Sequence, residues 1–258
     1  MKKLYFLYHM SWQFSGMVWD HAFALRSTPR TNSVQQIFGL ERHIEPRERF
    51  TDLTDGFGNR LCVGNYAEAH DHFTYEVCGT AVVDTSKRMP SPCHPMYRYP
   101  TKLTASEAPV LAFLEKNQTP EGTAEEKARM LMQELYSQFV YQPGKTTIYT
   151  TAGEALAGGC GVCQDYAHIL ISLCRSCGIP ARYVAGMMIG EGATHAWVEI
   201  HDGEKWIGLD PTHNRPADDG YIKLSHGRDY QDCILDRGVF RGNVSQQQII
   251  YVGVEEMT

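Results

Sequence analysis

The chain has 258 residues, 43% hydrophobic and 21% charged, the balance of a folded globular protein. Thirty acidic residues against 24 basic ones leave a formal charge of −6, so no basic excess exists to neutralise nucleic-acid phosphates. No apolar run approaches the roughly 18 residues of a membrane-spanning helix, and a soluble enzyme or binding module is what the composition leaves.

Lys2-Lys3 precede the apolar stretch Leu4 to Tyr8, a pattern that resembles a secretory leader only in outline. A leader would stay apolar for about 7–15 residues and end at small residues. Here His9, Ser11 and Gln13 interrupt it and no A-x-A follows, so the stretch reads as a first β-strand and the cytoplasm is the expected compartment. Strand and turn signals continue to about residue 103: Phe73 to Val77 alternates, and Asp55-Gly-Phe-Gly-Asn59 is a turn. Pro90, Pro92, Pro95 and Pro100 then mark an extended connector. The expected division is a β-rich N-terminal domain over 1–103 and a second domain over 104–258.

Helical texture follows. Thr123 and Glu126 form a capping box ahead of the apolar face Ala128, Leu131, Met132, Leu135 and Phe139. A second box, Thr151 and Glu154, opens a short turn closed by Gly158-Gly159. From Cys163 to Cys177 the residues Tyr166, Ile169, Leu170, Leu173 and Cys174 recur at helical spacing, and Gly178 with Pro180 stops the helix. Strands are expected over Ala181 to Ala185, Thr194 to Ile200, Lys205 to Leu209 and Gln248 to Val254.

Asp202-Gly203 is a two-residue hairpin signal. Turning there places Ile200 opposite Lys205, Glu199 opposite Trp206, Trp197 opposite Gly208 and His195 opposite Asp210. Ala196, Val198, Ile200, Ile207 and Leu209 then share a core face, and His195, Trp197, Glu199, Trp206, Gly208 and Asp210 share the other. The register that buries the aliphatics sets imidazole against carboxylate, with Cβ atoms roughly 4.5–5.5 Å apart. Cys163 sits in the first turn of its helix, where backbone N–H groups and the macrodipole favour thiolate over thiol. A nucleophile, a base and a group to orient the base are thus all present.

Eight cysteines are present, but without a leader a disulfide framework is a poor reading and reduced thiols are expected; Cys62, Cys78, Cys93 and Cys233 read as plain core or surface thiols. Cys160-x-x-Cys163 and Cys174-x-x-Cys177 offer two rival readings, a four-thiolate zinc site and a redox dithiol at Cys160/Cys163. One helix over 163–177 separates its end thiols by about 21 Å at 1.5 Å per residue, too far for one metal.

Gly161-Val-Cys163-Gln-Asp-Tyr-Ala-His, Cys174 through Gly186, Thr194-His195-Ala-Trp-Val-Glu-Ile and Leu209-Asp210-Pro-Thr-His resemble the bacterial transglutaminase-like core. Leu25-Arg-Ser-Thr-Pro-Arg30, Gln35 and Asp55 to Asn59 resemble the β-rich N-terminal region of such proteins. The resemblance covers nearly the whole chain. It implies an α+β, papain-like core in which the Cys helix packs on an antiparallel sheet, preceded by the β-rich domain. It further implies Cys163 as nucleophile, His195 as general base and acid, and Asp210 as its orienter. Attack on a peptide or protein amide through a thioester follows, with water as acceptor in a protease or amidase and an amine as acceptor in a cross-linking enzyme. Hydrolysis of peptide or isopeptide amide bonds is the expected outcome; the alternatives are a protein-glutamine transamidase and a non-enzymatic interaction module on the same fold.

Gln164, Trp197 and Tyr141 are candidate substrate-binding residues beside these three. Asp165 reads as a complement to the helix dipole. His168, five residues beyond Cys163, is expected to face elsewhere. The Cys163 N–H is a candidate oxyanion donor, with no second donor legible. No calcium loop is recognisable, and no cofactor or metal is expected.

Overall fold

The computed structural model describes residues 1–47, 49–118 and 121–257. Its N-terminal region contains β1 (Lys2–Leu25), β2 (Gln35–Glu45), β3 (Phe50–Thr54), β4 (Arg60–Tyr66) and β5 (His70–Val83). β1 is 24 residues long and organises the rest. Leu4, Phe6, Tyr8, Met10, Trp12 and Phe14 alternate along it and are all buried, as period-2 geometry requires when one sheet face meets a core. Its first half pairs with β5, and its second half, past irregular pairing between Gln13 and Val18, pairs with β4. One strand therefore serves two sheet segments.

The second region runs α1 (Ala108–Lys116), α2 (Ala124–Gln138), β6 (Val140–Tyr141), α3 (Ala152–Gly158), β7 (Cys160–Gly161) and α4 (Cys163–Ser176). It continues with β8 (Ala181–Met188), β9 (His195–His201), β10 (Trp206–Asp210), β11 (Arg215–Pro216) and β12 (Tyr221–Gly227). Both capping boxes form, Thr123 with Glu126 and Thr151 with Glu154. These last five strands make an antiparallel sheet in the order β11-β10-β9-β8-β12. α4 lies on one face of it, sharing a core with Tyr183, Ala185, Ala196, Val198, Ile200, Ile207 and Leu209. The Cys helix on an antiparallel sheet is the α+β arrangement that the resemblance implied.

The division at residue 103 needs one correction. β13 (Asp236–Arg241) and β14 (Gln246–Glu256), assigned to the second domain, both pair with β1. Val252 and Val254 are buried in the N-terminal core together with Met187, Ile222 and Leu224. An isolated apolar strand carries no record of its partner, and β1 offers an open edge along Leu4 to Phe14.

The proline-rich connector is tied down by an arginine of α4. The buried Arg175 guanidinium donates to Tyr97 O (3.1 Å), Thr104 Oγ1 (2.7 Å), Ala181 O (2.9 Å) and Arg228 O (2.8 Å). The burial of this cation is offset by four bonds to partial negative charges and by the charge of Asp229.

Candidate active site

Three elements converge on the site. α4 opens at Cys163, β9 opens at His195 and β10 ends at Asp210. The helix start is fixed by Asp165, whose Oδ2 accepts from the Val162 N–H (2.8 Å) and from Thr146 Oγ1 (2.6 Å). Asp165 therefore caps the helix as well as complementing its dipole. Burial raises its pKa, and the two hydrogen bonds oppose that rise.

The β9–β10 register differs from the expected one. Trp206 pairs with His201, Ile207 with Ile200, Gly208 with Glu199 and Leu209 with Val198, a shift of two residues. The turn closes one residue later because Asp202 is its first residue: its Oδ1 accepts from Glu204 N and Lys205 N, both at 2.8 Å. Gly203 takes the following position with φ +114, a conformation that favours glycine. A two-residue slip keeps every side chain on its face. His195 and Asp210 thus stay on one side of the sheet but lie diagonally, and Trp197 stands opposite Asp210.

The diagonal is bridged by side chains. His195 Nε2 lies 2.9 Å from Asp210 Oδ2, both groups buried. The Cys163 side chain interacts with the same ring, and engagement of Nε2 by Asp210 leaves Nδ1 for the thiol. Burial alone would lower the His195 pKa, but the hydrogen bonds to Asp210 and Cys163 and their negative charge raise it above the usual imidazole value. Burial would raise Asp210, and the bond to His195 and its charge bring it below the ordinary carboxylate range.

Asp210 is held by more groups than sequence reasoning found. Its Oδ2 also meets His213 Nδ1 at 2.8 Å and accepts from Tyr221 Oη at 2.7 Å. Its Oδ1 accepts from the Thr212 N–H at 2.9 Å. That bond is an Asx turn, which swings His213 back under the carboxylate. Asp210-Pro-Thr-His213 was a readable signal for it. Tyr221 left no local signal, because β12 reaches the site only through the sheet. Arg215 Nε donates to the same tyrosine oxygen at 2.9 Å.

Trp197 is 2% exposed and packs with Val184, Met188, Ala217 and Tyr221 behind the catalytic candidates. Its ring stacks on His195 at 6.5 Å between centroids. A Cβ on Gly186 would stand 2.4 Å from that ring, so only glycine lets the indole lie flat there. Trp197 therefore packs behind the imidazole and supports it. Tyr141 is half-exposed and interacts electrostatically with Cys163 and Glu191, and Gln164 is partly exposed next to the thiol. Both remain beside the nucleophile. His168 points into the core, accepting from the Tyr230 N–H at 3.1 Å, and burial brings its pKa down to about 3.

The four-thiolate zinc reading is opposed by Cys174, which is buried in the helix core. All eight cysteines are free thiols. Among the described residues, the group able to hold a metal ion is His195, Asp210 and His213, with ligand atoms within 4.8 Å of one another. All three are engaged in the hydrogen bonds that orient His195.

Residues 112–211 match the transglutaminase-like superfamily, and residues 6–82 match the bacterial transglutaminase-like N-terminal region. An uncharacterized protein of Mycobacterium tuberculosis is 30% identical over 88% of this chain and 84% of its own length. One from Mycobacterium leprae is 29% identical over 84% of this chain and 85% of its own. In three dimensions the chain is similar to the crystal structure of a "Putative Cysteine Protease" from Cytophaga hutchinsonii. The TM-score is 0.81 at 21% identity, covering all of this chain and 91% of the other, a likeness of fold. This chain belongs to the transglutaminase-like superfamily, joining a bacterial transglutaminase-like N-terminal region to a transglutaminase-like core.

Proposed function

We propose that the protein is a thiol-dependent acyl enzyme that hydrolyses amide bonds of peptides or proteins through a thioester on Cys163. The observation that carries the reading is the buried His195–Asp210 hydrogen bond, with Cys163 interacting with the same imidazole from a helix N-terminus. Cys163 Sγ attacks the amide carbonyl carbon while His195 Nδ1 takes the thiol proton. The developing oxyanion meets first-turn N–H groups of α4, which have no intrahelical acceptor. His195 passes the proton to the departing amine, and the C–N bond breaks to leave the thioester. Water then attacks, giving its proton to the same nitrogen, and the C–S bond breaks to release free acid and thiol. Asp210 holds the ring with Nδ1 toward sulfur and balances the imidazolium charge.

Incubating the protein with a peptide library, with and without a labelled primary amine, tests this reading by mass spectrometry. Free acids in both arms are expected. Predominant amide product would reassign the second step to amine transfer, and no product in either arm would overturn an acyl enzyme on these substrates. Iodoacetamide gives an independent check, since Cys163 should be alkylated faster than the other seven thiols near neutral pH. Burial holds the Cys62 thiol up at about 11 and raises Cys174 and Cys233 still further.

A further inference from the structure

A cavity of about 280 Å³ lies on the face of the catalytic sheet turned away from α4, where loops of the N-terminal region cover it. That volume is close to the lower end of small-molecule sites, roughly 300–1,000 Å³. Its cations are Arg30, Arg88, Arg182 and Lys223, and its carboxylates are Glu199 and Asp218. Glu199 takes ion pairs from both Arg182 (2.6 Å) and Lys223. Arg88 and Arg30 are different. Arg88 reaches only the Ala217 carbonyl (3.0 Å) and Arg30 only the Gly58 carbonyl, and neither has a carboxylate partner among the described residues. A chain with a net charge of −6 has thus gathered an excess of two positive charges around one cavity. An apolar and aromatic wall is supplied by Trp197, Trp206, Met89 and Val83, beside polar residues such as Gln35, Asn59 and His226. The Arg182 guanidinium lies 4.0 Å over the Trp206 ring, which keeps that wall rigid.

We propose that this cavity binds a small amphiphilic anion, an apolar or aromatic body bearing a carboxylate or phosphate, with Arg88 and Arg30 taking the charge. The guanidinium fork suits either group, and a ligand would replace weak carbonyl contacts with charge-assisted bonds. Trp197 and Tyr221 line this cavity and also touch His195 and Asp210 from behind, so it is a compartment distinct from the Cys163 side. The assignment does not depend on the reaction proposed above.

Fluorescence titration with 8-anilinonaphthalene-1-sulfonate, an aromatic anion, tests the site, with uncharged N-phenyl-1-naphthylamine as the control. Saturable binding of the sulfonate is expected, weakened at least about 10-fold in an Arg30→Gln/Arg88→Gln variant while the uncharged probe is unaffected. Ser33 is an exposed residue of the lining, and Ser33→Trp plugs the cavity without touching the core. That variant should lose the sulfonate signal, and it keeps the test decisive if the double variant fails to fold. 1-Naphthyl phosphate and 1-naphthaleneacetate serve as competitors, and whichever displaces the probe at lower concentration identifies the anion. Equal weakening of both probes, an unchanged signal in Ser33→Trp, or displacement by neither competitor would overturn the proposal.

Discussion

Two histidine pairs invite comparison, one buried and one with His213 at the surface. In the N-terminal sheet His21 and His70 stack at 5.3 Å between centroids, with His21 Nδ1 3.1 Å from His70 Nε2. In the core His195 and His213 stand equally close, at 5.3 Å, but both meet Asp210. Burial, with a smaller contribution from His70, brings His21 down to about 4, whereas His195 is raised. Desolvation lowers both, and the Asp210 carboxylate, with Cys163 beside it, makes the difference. His21 is kept neutral and packs among Trp12, Phe14 and Phe73. His195, raised instead, holds its proton more tightly beside Cys163.

The comparison breaks first at the nucleophile. Cys163→Ala should abolish turnover of any substrate found, while thermal denaturation shifts by no more than about 1 kcal/mol, because a first-turn alanine suits the helix. Turnover near the wild-type rate would place the nucleophile elsewhere.

Asp210→Asn should convert the His195 environment toward that of His21. A loss of roughly 10⁴-fold in kcat/KM is expected from the wrong tautomer, with about 3–5 kcal/mol of stability lost near neutral pH. The signs follow from the two shifts. Asp210 is lowered, so its contribution is present above the ordinary 3.8 and is lost as pH falls through its folded value. His195 is raised, so its contribution is full below 6.5 and is lost as pH rises through its folded value. Urea unfolding of the wild type and Asp210→Asn between about pH 2 and 10 checks both limbs, and parallel curves would refute the coupling.

Tyr221→Phe sharpens the comparison by removing one of the bonds to Asp210 and keeping the ring. One hydrogen bond to a charged acceptor corresponds to roughly a 10-fold loss in kcat/KM. The pH–rate profile should shift as well, because Asp210 becomes a stronger base. A fall in stability without that shift would limit Tyr221 to packing.

The smallest effect on activity belongs to His21→Leu. Turnover per folded molecule should not change, and stability at pH 7 should fall by about 1–3 kcal/mol through the unpaired His70 nitrogen. Because a buried neutral imidazole must charge on unfolding, the wild type loses stability as pH drops below 6.5. The variant should lose less over the same interval.

The core helix, both capping boxes and the sidedness of the β9–β10 hairpin were legible because each rests on local spacing. The Cys163, His195 and Asp210 assignment inherits that legibility, since a slip of two residues does not move a side chain to the other face. The register itself was not legible. It depended on whether Asp202 would lie inside the turn or start it by capping with its own carboxylate. Nor could composition place β14, whose apolar pattern fits any open edge and whose partner is at the opposite end of the chain.

The sequence by itself determined which residues form the Cys helix, which face of the hairpin carries imidazole and carboxylate, and that the chain divides in texture near residue 103. Tertiary structure alone decided the company these groups keep: His213 and Tyr221 on one oxygen of Asp210, Trp197 under His195, and Arg175 binding the connector to the core. The physical reason is range. Periodicity and capping act over one helical turn or one strand pair, whereas burial and the partners that offset it are set by segments that meet only when the sheets close.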